Sequence, residues 1–281
     1  MSDVLYRALF DDAALFPPGN APMGEALPAH RGHRTSARAR YVGPFLVSDA
    51  RVGELRAVLS REDGGHPPLE VVVTVPGGAD GIAAAVGNVL ADPVLRLKGL
   101  EVAATPGGTA DVTAALDAHL PDDVEGYVEV SRQGGAEGIR ADLAALAGAG
   151  RNAKFRTGGL TADAHPTETE LAGALYAAVE LGTPFKCTAG LHHAVRHTTA
   201  QGFEQHGFLN VLLATDTLLK GGTAEDAAAT LADRDGRALA ARAGGLTDAE
   251  AEAVRAGFRS FGTCSVTEPL EDLIVLGALT F

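Results

Sequence analysis

The sequence predicts an α/β fold, a parallel (β/α)8-type TIM barrel, on three observations. Short apolar runs suited to strands recur at residues 41–47, 69–75, 99–104, 124–130, 153–156, 184–188 and 260–265, most of them about 22 to 32 residues apart, the repeat of a βα unit. Between them lie Ala- and Leu-rich stretches such as GIAAAVGNVL, VTAALDAHL and ETELAGALYAAVEL, whose apolar positions return at three and four, the helical period. No G-x-G-x-x-G follows the first run and no G-x-x-x-x-G-K-[ST] occurs, which disfavours an open nucleotide-binding sheet.

Helix punctuation agrees with this alternation. Thr167 followed by Glu170 is a capping-box pattern, and Gly148 with Gly150 closes the helix before the 153–156 run. A chain of 281 residues suits one barrel, so residues 1–281 are expected to form a single domain. Residues 1–40, with the turn FPPGN and a short helix near 23–33, are expected to be an N-terminal segment covering one barrel end. Residues 208–219 suit a buried strand and a helix equally, which leaves the seventh strand irregular or missing. The closing EPLEDLIVLGAL is expected to be a helix packed on the barrel wall.

A formal net charge of −13 argues against nucleic acid or an anionic membrane as partner. No stretch reaches the roughly 18 apolar residues of a membrane helix. Two cysteines far apart, Cys187 and Cys264, do not make a disulfide framework, and with no export signal at the start they point to a cytoplasmic protein. Both are read as packing residues, and the apolar final helix as a surface for self-association into a homo-oligomer.

Barrel enzymes place their reacting groups at the C-terminal ends of strands. The 153–156 run ends in KFRTGG, so the period of two sets Lys154 and Arg156 on one face, with Thr157, Gly158 and Gly159 as the following loop. An arginine fork beside glycine amides suits a carboxylate or phosphate, so a small anionic substrate is expected. The next run, FKCTAGLHH, sets Lys186 and Thr188 on one face, and His192 follows as a substrate contact. A second ammonium nearby and a poorly hydrated pocket would both favour a neutral Lys186 amine. His193 is a candidate general acid or base. Glu101 and Glu129 are the carboxylates that would neutralise or orient the lysines.

The stretch FKCTAG resembles the K-x-[ST]-T-G segment around the Schiff-base lysine of the class I deoxyribose-phosphate aldolase family, whose fold is this barrel. The resemblance covers about six residues, with Cys187 where that family has Ser or Thr. It implies Lys186 as the carbinolamine-forming residue and a second barrel lysine, for which Lys154 is the candidate. In that family the second lysine follows the Schiff-base strand, whereas Lys154 precedes it.

The leading expectation is therefore a lyase of aldolase-like or enolising type, acting on a small anionic carbonyl compound without a cofactor. Its catalytic residues would be Lys186, Lys154, His193 and Glu129. An alternative is a hydrolase or lyase dependent on a divalent transition metal held by His193, His197 and Glu129. A further alternative is a non-catalytic protein that binds an anionic metabolite through the same cations.

Overall fold

The computed structural model describes residues 3–62 and 65–279, so the first and last two positions of the expected domain lie outside the described residues. Strands β1 (Phe10–Asp12), β2 (Val42–Ser48), β3 (Leu69–Val75), β4 (Leu95–Ala103), β5 (Glu125–Glu129), β6 (Asn152–Arg156) and β7 (Phe185–Thr188) are followed by a short antiparallel pair, β8 (His197–Thr198) with β9 (Glu204–Gln205), and then by β10 (Phe258–Thr263). Seven of these strands and β10 close into one parallel barrel, in the order β1-β10-β7-β6-β5-β4-β3-β2. The predicted TIM barrel is thus the observed fold.

Helices α1 (Met23–Thr35), α2 (Val52–Leu59), α3 (Ile82–Leu90), α4 (Thr109–His119), α5 (Gly135–Gly148) and α6 (Glu168–Leu181) each return the chain from one strand to the next. After β7 come four helices, α7 (Phe208–Leu219), α8 (Ala224–Ala232), α9 (Gly236–Gly244) and α10 (Asp248–Gly257), before β10 and the closing α11 (Thr267–Val275). The capping box at α6 is formed: Thr167 Oγ1 accepts from the Glu170 N–H at 3.2 Å, and Glu170 accepts from the Thr167 N–H at 2.7 Å. Past the end of α5, Gly150 takes φ 63°, the left-handed value that lets the chain turn into β6.

Two expectations about strands are corrected. The first forty residues are not merely a cover, because Phe10–Asp12 is a barrel strand hydrogen-bonded between β10 and β2. Two consecutive aspartates hide it in the sequence, yet both are buried, since the wall sends Asp11 inward to Lys186 and Asp12 outward to His30 on α1. Nor is the seventh strand missing, because residues 208–219 are a helix and the last barrel strand before them, β7, is the seventh. Helix α7 is buried on nearly every side, with Phe208 against Phe10 and Phe261 of the barrel wall, and α6, α8, α9 and α10 packed around it. A helix apolar all round loses the amphipathic period that identifies helices in sequence.

The main core lies between barrel and helices. Phe45 and Val47 of β2 and Val71, Val73 and Val75 of β3 point outward into it, each fully buried. Their inward neighbours Leu46 and Val72 join Ala13 and Phe16 in a separate small apolar cluster. One side of the barrel interior is therefore apolar. The opposite side, formed by β4 to β7 together with β1 and β10, carries charge.

Candidate active site

The parallel register sets Glu129, Lys154 and Lys186 beside one another across β5, β6 and β7. Period-two alternation then turns all three side chains inward together with Glu101 and Asp11. The result is a continuous line of ion pairs. Asp11 accepts from Lys186 Nζ at 2.6 Å, and Lys186 lies 2.5 Å from Glu101 Oε1. The other Glu101 oxygen lies 3.0 Å from Lys154, which is 3.0 Å from Glu129 Oε2, while Glu129 Oε1 accepts from Arg156 Nε at 3.2 Å. Three carboxylates and three cations thus alternate, so that each buried charge is compensated.

Local packing makes room for this line. A Cβ at Gly43 would lie 2.1 Å from Asp11 Oδ1, so only glycine lets β2 pass beside that carboxylate. Ser260 Oγ donates to Asp11 at 2.6 Å, and the Tyr127 ring faces Lys186 with its centroid 5.2 Å from Nζ. Exposure rises along the line: the Lys186 side chain is 1% exposed, Lys154 8%, Glu129 23% and Arg156 45%. Arg156 and Glu129 end their strands at the C-terminal mouth, where barrel chemistry occurs, and Lys186 lies sealed below them.

The charges around Lys186 run against one expectation. Burial favours the neutral Lys186 amine, but Asp11 and Glu101 together outweigh it and hold the ammonium well above the usual lysine range. The second lysine does not neutralise it, because Glu101 stands between them. Burial, the largest single influence on Glu101, pushes its carboxyl up, yet Lys186 and Lys154 combined hold it at about 2. Burial raises the Asp11 carboxyl despite Lys186. For Glu129, burial is again outweighed, by Lys154 and then Arg156, so its carboxyl is lowered.

A stability prediction follows. Because the folded Glu101 carboxyl lies at about 2, below its ordinary 4.5, its contribution is complete above about pH 4.5 and fades as pH falls towards 2. Glu101→Gln is therefore expected to flatten the acid limb of a melting-temperature profile between those values. An unchanged acid limb in that variant would refute the assignment.

Several candidate residues have other tasks. Thr157 is 0% exposed: its N–H donates to the Thr188 carbonyl at 2.9 Å and its hydroxyl to that of Ala189 at 2.5 Å. It thereby stitches the turn in which Ala189 and Gly190 take φ of 57° and 87°. The glycine pair serves close packing. A Cβ at Gly158 would lie 2.9 Å from Gly190 Cα, one at Gly159 would lie 2.6 Å from Ala164 Cβ, and the Gly159 carbonyl meets His165 Nε2 at 3.1 Å. Glu101 is sealed between the lysines and touches no solvent-accessible space, whereas Thr188 is half-buried at the end of β7.

The histidines stand apart from the lysines. His193 Nδ1 lies 3.0 Å from Asp272, which also accepts the Ala194 N–H, so this pair anchors α11. His197 belongs to β8, outside any helix, and meets His193 edge-on at 4.6 Å. Glu129 does not join them, because both its oxygens face Lys154 and Arg156. Among the described residues no group of three or more His, Cys, Asp or Glu side chains is arranged to hold a metal ion.

His192 is half-buried with Nδ1 3.5 Å from Cys264 Sγ and 3.8 Å from Glu268, and burial lowers its pKa. Cys264 is thus more than packing, although burial and then Glu268 raise its thiol and keep it protonated. Cys187 is fully buried, as expected. Sequence reasoning missed Asp11, Tyr127 and Ser260. The visible signal for Asp11 was an acidic pair inside an otherwise apolar run, LFDDAALF.

No protein-family model and no curated protein matches this chain. The fold is one that commonly carries enzymes, with active sites at the strand C-termini. No helix among the described residues is long and apolar enough to cross a membrane.

Proposed function

We propose that the protein is an enzyme that forms an enolate from a small anionic carbonyl compound at the C-terminal mouth of the barrel, by proton abstraction or by carbon–carbon cleavage. The observation that carries this reading is the arrangement at Glu129, a partly exposed carboxylate with the Lys154 ammonium on one oxygen and the Arg156 guanidinium on the other. Arg156, the most exposed member of the line, is free to turn to a substrate carboxylate or phosphate. Once it does, Glu129 loses one of the cations that weaken it as a base and faces a new negative charge, so its proton affinity rises on binding.

In the chemical step Glu129 takes a proton from the carbon next to the carbonyl, and the C–H electron pair passes into the enolate, whose oxygen is stabilised by the Lys154 ammonium. In the cleavage variant the proton comes from a β-hydroxyl, and the electrons of the breaking C–C bond form the same enolate. Lys186 then acts as a positioning residue: it shares Glu101 with Lys154 and holds it in line. Imine formation at Lys186 would need a free amine lone pair, and this nitrogen is held by Asp11 and Glu101 against the face of Tyr127.

The test combines two arms on a panel of 2-keto acids, 3-keto acids and phosphorylated ketones. Incubation in deuterium oxide is expected to exchange the proton next to the carbonyl of at least one compound, read by nuclear magnetic resonance. Borohydride added with that compound is expected to leave the protein mass unchanged. A reduced adduct on Lys186 or Lys154 would replace the enolate reading with imine chemistry, and absence of exchange across the panel would count against both.

A further inference from the structure

The opposite end of the barrel holds a cavity of about 470 Å³. It opens among the strand N-termini, and Lys186, Asp11, Tyr127 and Ser260 form part of its lining. Arg7, Lys98, Arg255 and Arg259 also line it, against the acidic side chains of Glu125 and Glu252 once Asp11 and Lys186 are paired off. In a chain of net charge −13, this cavity carries an excess of positive charge.

Among the described residues these cations have no carboxylate partner of the kind that holds Arg31, Arg34, Arg140 and Arg151. None of the four forms an ion pair among the described residues. Arg255 donates only to backbone carbonyls, that of Leu5 at 3.3 Å and that of Arg259. The Nε atoms of both Arg255 and Arg259 are buried without a hydrogen-bond partner. A buried donor without an acceptor is costly, more so when charged, and two such donors on neighbouring guanidinium groups call for a shared acceptor. Burial, the dominant influence, pushes Arg255 down to about 10, consistent with a guanidinium short of counter-charge. Glu125 is engaged elsewhere, accepting from Asn152 Nδ2 at 2.5 Å.

We infer that this cavity is a binding site for a small oxyanion, phosphate or carboxylate, held by Arg255 and Arg259 and steered by Arg7 and Lys98. It is separate from the mouth and does not depend on the reaction proposed there. Its inner wall is the Lys186–Asp11 pair, so an anion bound here sits beside one end of the ion-pair line that ends at Arg156.

Calorimetric titration of the full chain with inorganic phosphate, and separately with malonate, tests the site and tells the two anions apart. Binding of at least one is expected, with a rise in melting temperature of about 5 °C at roughly a hundredfold excess over Kd. Arg255→Gln and Arg259→Gln should each weaken binding in this cavity at least tenfold, and Arg156→Gln should alter only a second anion held at the mouth. Binding that keeps its full affinity in both Arg255→Gln and Arg259→Gln, or that disappears in Arg156→Gln, would place the anion at the mouth and overturn the inference, as would the absence of binding. Should either variant fail to fold, a selenate soak of wild-type crystals decides the matter. An anomalous peak between Arg255 and Arg259 supports the site, and a cavity without that peak refutes it.

Discussion

Lys186→Met is expected to lower the melting temperature by roughly 7 °C, the equivalent of about 4 kcal/mol for removing one partner from a buried ion pair. The reason is the position of Lys186, 2.6 Å from Asp11 and 2.5 Å from Glu101 with almost no solvent access. Glu101 would keep Lys154, but Asp11 would keep only the Ser260 hydroxyl. Most of the loss should therefore return in the double variant Lys186→Met/Asp11→Asn, which removes the stranded charge. Differential scanning calorimetry of the two variants checks this, and a single variant melting with the wild type would show that the line of charges has no structural weight. Lys186→Met also removes positive charge from the line, which should move the acid limb of the activity profile to higher pH. A purely structural role would leave that limb in place.

The second large effect concerns catalysis. Glu129→Gln is expected to lower kcat/KM by about a thousandfold, the usual range for loss of a positioned base, while costing under about 1 kcal/mol of stability. Stability should be nearly preserved because Glu129 lies at the partly exposed end of the line and Lys154 retains Glu101. In the wild type the acid limb of kcat/KM should lie below the ordinary carboxylate value of 4.5, since burial is outweighed by Lys154 and Arg156 and the folded carboxyl is lowered. Arg156→Gln should mainly raise KM. Steady-state kinetics on the compound found by deuterium exchange measures all three quantities, and an active Glu129→Gln enzyme would remove that residue from the mechanism.

The legible and illegible parts of the molecule divide on physical grounds. Strands β2 to β5 could be read because Val and Leu recur in short runs, β6, β7 and β10 because short runs around Phe and small residues do, and helices α3 to α6 because one face of each is solvated. Strand β1 could not, since two of its three residues are acidic and only the surrounding barrel supplies Lys186, Ser260 and His30 to receive them. Helix α7 could not, since it has no solvated face. At the site, Lys154, Arg156, Lys186, Glu101 and Glu129 were visible as polar residues in or ending apolar runs. Their pairing was not, because Asp11 and Lys186 lie 175 residues apart in the chain.

By itself the sequence determined the repeating βα architecture, the face shared by Lys154 with Arg156 and by Lys186 with Thr188, and the presence of paired cations near the strand ends, all of which depend on local periodicity. Tertiary structure alone decided that the barrel closes through β1 and that Asp11 and Glu101 flank Lys186, where their charges favour its ammonium form. The protonation state of a buried amine depends on the balance between desolvation and the charges brought beside it, and those charges arrive from strands distant in sequence.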